Sequence, residues 1–145
     1  MIEFDRSALG VESAPIAYEV EKGAIRKFAE AIGDDDPIYY DEKAALAAGF
    51  KTIPAPPTFL CTFRTQALPD LKLQFGRVRL NGGNEYDYRQ PIYAGDTITL
   101  TAKYGDVAER TGRSGSMVFI TTELTFTNQH GEVVATGRNT GIMRE

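Results

Sequence analysis

The sequence predicts a single α+β domain in which an antiparallel sheet wraps a buried helix. Three observations carry that prediction. A chain of 145 residues with 42% hydrophobic content suffices for one core rather than two. Apolar residues in its first half recur at helical spacing, and from Gly76 onward the spacing changes to period two. Helices first and a long antiparallel run afterwards is the order of a segregated α+β fold. Sixteen basic residues against 20 acidic ones give a net charge of -4, which denies the broad positive field that nucleic-acid binding needs. No apolar run approaches the roughly 18 residues of a membrane span. The start, Met1-Ile2-Glu3-Phe4-Asp5-Arg6, lacks the basic-then-apolar order of a secretion signal, so a cytoplasmic protein is expected, with neither nucleic acid nor membrane as partner. Cys61 is the one cysteine and His130 the one histidine, too few soft ligands for an ordinary zinc site; neither metal nor cofactor is expected.

Ala17 to Val20 alternates briefly and reads as a short first strand. Ile25, Phe28, Ala29 and Ile32 fall on one helical face, predicting a helix from about Glu21 to Ile32 that Gly33 stops. Asp34-Asp35-Asp36-Pro37 then presents carboxylates in a turn, because the proline disfavours helix in the residue before it. Asp41 is placed to cap a short alanine-rich helix over Glu42 to Ala48, with Gly49 at its C′ position. Ile53-Pro54-Ala55-Pro56-Pro57 predicts a stiff extended loop. The nearly continuous apolar run from Thr58 to Leu68, ending before Pro69, predicts the buried helix. Beyond Gly76, Tyr86/Tyr88, Ile98/Leu100, Val118/Ile120, Leu124/Phe126 and Val133-Val134 mark strands. Gly95-Asp96, Gly112 to Gly115 and Asn128 to Gly131 mark turns, so the second half reads as a long antiparallel meander. Within it Asn81-Gly82-Gly83-Asn84-Glu85 is polar and glycine-rich, which predicts a bulge or a close backbone approach.

The acidic corner from Gly33 to Tyr40 admits two readings. In one, Asp35 and Asp36 are solvated turn residues and Asp34 caps the next backbone segment. In the other, Asp34 is a site carboxylate that takes or gives a proton, with Tyr39 beside it as a hydrogen-bond donor. A phenol with a reference pKa of about 10 donates readily but is a poor base near neutrality, so Asp34 carries the base role.

Gly33-Asp34-Asp35-Asp36-Pro37-Ile38-Tyr39, then Asp41, the alanine-rich helix, Phe50 and the loop Ile53 to Thr58 resemble the hydratase segment of MaoC-like acyl-thioester dehydratases. Asn81-Gly82-Gly83-Asn84-Glu85-Tyr86, Arg89-Gln90-Pro91-Ile92 and Ala94-Gly95-Asp96-Thr97 resemble the sheet of that family's N-terminal dehydratase branch, which includes Had-type heterodimeric enzymes. The resemblance runs from Glu21 to Met143, and several motifs in order are more specific than any one alone. It implies a single hot-dog domain over residues 1–145, a sheet around a central helix, paired as homodimer or heterodimer. It also implies reversible hydration of a trans-2-enoyl thioester, on CoA or acyl carrier protein, to a (3R)-3-hydroxyacyl thioester. That reaction needs a carboxylate and an imidazole to handle water and the C2 proton, and an N–H to hold the enolate oxygen.

In the catalytic family an aspartate is followed five positions on by a histidine. Asp34 matches the first and Tyr39 occupies the second. Catalytic relatives also carry a His-Gly pair at the central helix whose glycine N–H binds the thioester oxygen; Pro56-Pro57 stand there, and Pro57 has no N–H. Thr58 is the nearest replacement donor, or a plain first-turn threonine. Phe59, Leu60 and Phe63 are candidate walls of an acyl tunnel, or plain core. Asn81, Gly82 and Asn84 lie near the site in the family and are candidates for substrate binding, although a bulge alone also accounts for the glycines. Arg64, Lys72, Arg77 and Arg79 are candidates for CoA phosphates or an acidic carrier, or solvated surface charges. His130 falls in a predicted turn and is expected to lie outside the chemistry.

Two of the three requirements are thus weakened, as in the substrate-holding half of Had-type heterodimers, which pairs with a histidine-bearing MaoC-like subunit. That is the leading expectation. A self-sufficient homodimeric hydratase built on Asp34, Tyr39 and Thr58, a non-enzymatic acyl-CoA-binding module and a thioesterase are the alternatives.

Overall fold

The computed structural model describes residues 1–145. Its elements are β1 (Ile16–Glu19), α1 (Lys22–Ala31), α2 (Glu42–Ala47), β2 (Val78–Tyr88), β3 (Thr97–Gly112), β4 (Gly115–Thr127) and β5 (Val133–Arg144), with short 3₁₀ turns at Arg6–Ala8, Pro37–Tyr39 and Phe59–Thr62. The strands form one curled antiparallel sheet of five in the order β1-β3-β4-β5-β2. The early elements follow their local chemistry. The α1 helix buries Ile25 and Ala29, two members of its apolar stripe, and Asp41 accepts the Lys43 N–H at 3.0 Å as the cap of α2.

Two expectations are corrected. The meander is continuous only through β3, β4 and β5; β2 crosses to the far edge and pairs with β5, while β1 takes the free side of β3. The predicted helix from Thr58 to Leu68 is a single 3₁₀ turn at Phe59–Thr62, followed by irregular chain up to β2. Its apolar content predicted burial correctly, and Phe59 and Leu60 are buried. The helical geometry fails because other groups take the backbone. The Thr62 hydroxyl donates to the Phe59 carbonyl at 2.8 Å, the local competition by which threonine disturbs helices. The Tyr18 hydroxyl, from β1, accepts the Arg64 N–H at 3.1 Å and donates to the Arg64 carbonyl at 2.6 Å, which removes Arg64 from any helical ladder. Pro56 and Pro57 upstream offer no N–H, and the threonines and phenylalanines of the segment are weak helix formers.

The sheet's inner face therefore carries two separate cores rather than one continuous helix seat. The larger joins Ile25 and Ala29 of α1, Tyr39, Phe59 and Leu60 to Ile98, Leu100, Phe126 and Ala135 of the sheet. The smaller, at the opposite end of the strands, joins Ala8 and Leu71 to Val107, Val118 and Met143. Each fully buried Ile, Leu, Val or Phe among them contributes about 1.5–3 kcal/mol relative to exposure. The N-terminal segment is stitched to the sheet and to the crossing chain: the Asp5 N–H donates to the Leu71 carbonyl at 2.8 Å, and Ser13 exchanges hydrogen bonds with Ala102.

Candidate functional site

The acidic corner is built by the end of α1. Gly33 takes a positive φ of 70°, which reverses the chain, and the Asp34 N–H still donates to the Ala29 carbonyl at 2.9 Å. The Asp34 carboxylate then accepts the Asp36 N–H at 3.1 Å, and the Asp36 carboxylate accepts the Ile38 N–H at 3.2 Å, opening the 3₁₀ turn that holds Tyr39. Asp34 thus performs the capping role that aspartates take in turns. It is also half-buried and next to Tyr39: burial raises the Tyr39 phenol above its ordinary value, and the charges of Asp34 and Asp36 add to that rise. The two predicted residues share one corner without a direct hydrogen bond, and Tyr39, 8% exposed, is anchored in the larger core.

Tyr40, the last residue of this corner, has a role that the sequence does not signal. Its hydroxyl donates to the Asp34 carbonyl at 2.7 Å, and the Arg26 guanidinium lies 5.6 Å from its ring centroid. Two adjacent tyrosines give no signal as to which turns inward; the phase of the 3₁₀ turn decides it.

Thr58 is exposed, and its side chain makes no capping hydrogen bond. Phe59 turns into the core and packs edge-on against Phe28 of α1, with ring centroids 5.6 Å apart. Phe63 is half-buried, stacked on Tyr18 at 4.8 Å and tilted against Phe126 at 6.2 Å. Of the two phenylalanines, only Phe63 lines the cavity of about 710 Å³ between the 60–68 segment and the inner face of the sheet. Asn81 and Asn84 line the same cavity from β2. The predicted bulge is present: the β2–β5 register shifts between Asn81 and Gly83, and the Asn81 side chain accepts the Gly83 N–H at 3.0 Å. Gly82 also meets the close-approach reading, since a Cβ there would lie 2.8 Å from Ile142 Cδ1 and 3.0 Å from the Thr140 carbonyl oxygen.

The basic candidates do not converge. Lys72 pairs with Asp5 at 3.2 Å; Arg64 is exposed in the 60–68 segment, whereas Arg77 and Arg79 are exposed together at the start of β2. His130 sits in the exposed β4–β5 turn, where its N–H donates to Asn128 at 2.9 Å. No cluster of three metal-ligating side chains occurs, and no helix is long and apolar enough to cross a membrane.

Residues 7–137 match the family described as the FAS1-like dehydratase domain region. The chain belongs to that family. Among curated relatives, a UPF0336 protein of Saccharopolyspora erythraea is 37% identical over 147 residues, covering 97% of this chain and 91% of the relative. Among solved structures, the ChsH1-ChsH2 complex from Mycobacterium tuberculosis superposes with a TM-score of 0.77 at 25% identity, covering 96% of this chain and 86% of that one. The C-terminally truncated HadBC (3R-hydroxyacyl-ACP dehydratase) complex from the same organism superposes with a TM-score of 0.69 at 24% identity, covering 98% and 94%. The fold shared with these is the hot-dog fold that the motifs implied. In this FAS1-like dehydratase-region chain the position five residues after the aspartate is filled by a buried phenol, and the irregular chain after Pro57 stands where a long central helix was expected.

Proposed function

We propose that this chain is the acyl-thioester-holding subunit of a two-subunit hydro-lyase that interconverts trans-2-enoyl and (3R)-3-hydroxyacyl thioesters. Its partner is a hot-dog subunit that supplies the imidazole. The observation that carries this reading is the acidic corner itself. Asp34 is present, but Tyr39 is held as a neutral phenol by burial and by two neighbouring carboxylates, so it cannot exchange a proton near neutral pH as an imidazole does. Pro57 offers no N–H to a developing enolate oxygen, and His130 lies in a hairpin turn outside this corner.

The broad inner cavity supports a holding role. A volume of about 710 Å³, walled by Phe63, Leu124 and Tyr86 with a few amides, falls in the range of small-molecule sites. In this reading exposed Thr58 would meet the thioester end, and the substrate is carried on CoA or acyl carrier protein.

Hydration of trans-2-butenoyl-CoA, followed spectrophotometrically, tests the reading. The purified chain alone is expected to give no turnover, and mixing it with a histidine-bearing hot-dog subunit is expected to give turnover. Activity of the chain alone that disappears in Asp34→Asn overturns the two-subunit reading in favour of a self-sufficient site. Tyr39→His is expected to restore little in the lone chain, because the N–H missing at Pro57 stays missing.

A further inference from the structure

The strand registers define transverse rows of side chains across the inner face. One row runs Tyr88, Ala135, Phe126, Leu100 from β2 through β5 and β4 to β3, and the next runs Tyr86, Gly137, Leu124, Ala102. Both are apolar apart from the tyrosine hydroxyls. The following row is Asn84, Asn139, Thr122, Tyr104, polar in all four strands. Beyond it the rows are mixed: Asn81, Gly141, Ile120 and Val107, then Arg79, Met143, Val118 and Glu109, with the apolar members Val107, Val118 and Met143 in the smaller core.

The row borders the apolar rows of the larger core yet stays within reach of water, with Asn84 exposed and Asn139, Thr122 and Tyr104 half-buried. A ligand that covered it would take amides and hydroxyls out of water, which is unfavourable unless they are hydrogen-bonded. Within the chain only one such bond exists: the Asn139 amide donates to the Asn84 carbonyl oxygen at 2.5 Å. That leaves the remaining amide donors, an amide oxygen and the hydroxyls of Thr122 and Tyr104 unengaged by the protein. The row opens into space. It lines the 710 Å³ cavity from the sheet side, opposite Cys61 and Leu68, and a second cavity of about 480 Å³ shares Leu68, Tyr104, Thr122 and Asn139 with it. The seam of the two cavities is therefore this polar row. Of the residues around the larger cavity only Arg64 is charged, and it is exposed.

We infer that this row is a binding subsite for an uncharged hydrogen-bonding group, a hydroxyl or a carbonyl, borne part-way along an otherwise apolar acyl chain. The inference rests on the acyl-thioester reading above and names its substrate class. Geometry sets the distance. Thr122 lies four residues along β4 from Phe126, roughly 14 Å at the rise of an antiparallel strand, so the group sits many methylenes beyond a thioester placed at the Tyr39 and Phe59 end of the face. A plain methylene chain covering the row would shut out water and leave the Thr122 and Tyr104 hydroxyls and the remaining amide groups without partners. A hydroxyl or carbonyl completes them, and a site built to bond such a group discriminates against the analogue that lacks it.

Isothermal titration of the intact chain with tetradecanoyl-CoA, and with its isomers hydroxylated at successive mid-chain and distal carbons, tests this. At least one hydroxylated isomer is expected to bind about tenfold more tightly than the unsubstituted thioester. Tyr104→Phe and Thr122→Val each delete one hydroxyl with little change of shape and are expected to reduce that ratio severalfold; Asn84→Leu with Asn139→Leu is expected to bring it near one. A ratio of one in the native chain, a ratio that survives all three changes, or no binding of any thioester overturns the inference. The outcome is separable from the dehydratase reading, because trans-2-butenoyl-CoA is too short to reach the row. A pair of subunits that hydrates the short substrate while the ratio is one overturns the subsite alone. A high ratio with no hydration by any pairing overturns the hydro-lyase assignment alone.

Discussion

Tyr39 separates two roles that a buried side chain can hold. Its ring is part of the larger core, whereas its hydroxyl has no hydrogen-bond partner within the chain. Tyr39→Phe is therefore expected to leave the unfolding free energy from urea titration within about 0.5 kcal/mol of the native value, and Tyr39→Ala to lower it by about 3–5 kcal/mol through the cavity it leaves. A large loss in the phenylalanine variant would show that the hydroxyl is structurally bound after all. The phenols also set a pH dependence. Tyr39, Tyr86, Tyr88 and Tyr104 all have their ionisation raised, in each case mainly by burial, and Tyr88 most, with its hydroxyl donating to the Pro57 carbonyl. The folded state then holds these protons more tightly than the unfolded chain does, so their contribution is fully present below about pH 10 and is lost as pH rises through the elevated folded values. Urea denaturation across the alkaline range is expected to show stability falling there, less steeply in Tyr88→Phe. At this scale the sequence marked Asp34 and Tyr39 as parts of one acidic corner but could not place their side chains, and the corner forms without the Tyr39 hydrogen bond to Asp34 that the proton-transfer reading expected. Tyr40 was not legible, since nothing in a pair of identical residues states which one the turn buries.

Elements defined by local chemistry were the readable ones. The α1 and α2 helices carry their own stripe, cap and stop signals, and each observed helix lies inside its predicted span. The Asn81–Gly83 bulge was readable for the same reason: glycines and a short amide side chain in a strand have few other uses. The 58–68 segment was misread because apolar continuity reports burial rather than geometry. Its fate is decided by Tyr18, 46 residues earlier, whose hydroxyl claims both backbone groups of Arg64. No local pattern contains that information. The bulge gives a sharp test at the same scale. Gly82→Ala places a methyl against Ile142 and the Thr140 carbonyl and is expected to destabilise by about 1–3 kcal/mol. At Gly83 the space is open, but the φ of 143° is one that side chains rarely adopt. Equal urea midpoints for native protein and Gly82→Ala would show that β2 is free to shift away from β5.

The molecule as a whole ends in two unpaired sheet edges, and they differ. The β1 edge has four residues, whereas β2 has 11, most of them exposed, including Val78 and Leu80 at 37% and 45% exposure. A long edge with outward apolar side chains and no covering segment is a template for another strand, and natural proteins usually blunt or occupy such edges. Because β2 pairs only with β5, an antiparallel copy of β2 from a second hot-dog chain would extend the sheet without disturbing either core. It would also close the cavity side that Asn81 and Asn84 now leave exposed on that strand. Under the proposed two-subunit reading, the holding and imidazole-bearing subunits would then meet along the strand that borders the inner cavity. Sedimentation velocity at micromolar concentration is expected to show self-association of the chain alone. Leu80→Lys, which puts a charge on the edge at a side chain 45% exposed, is expected to shift the population to monomer with an unchanged circular dichroism spectrum. A native chain that stays monomeric, yet gains enzymatic activity with a histidine-bearing partner, would place the pairing surface away from β2 and leave the edge as a feature of the free subunit alone.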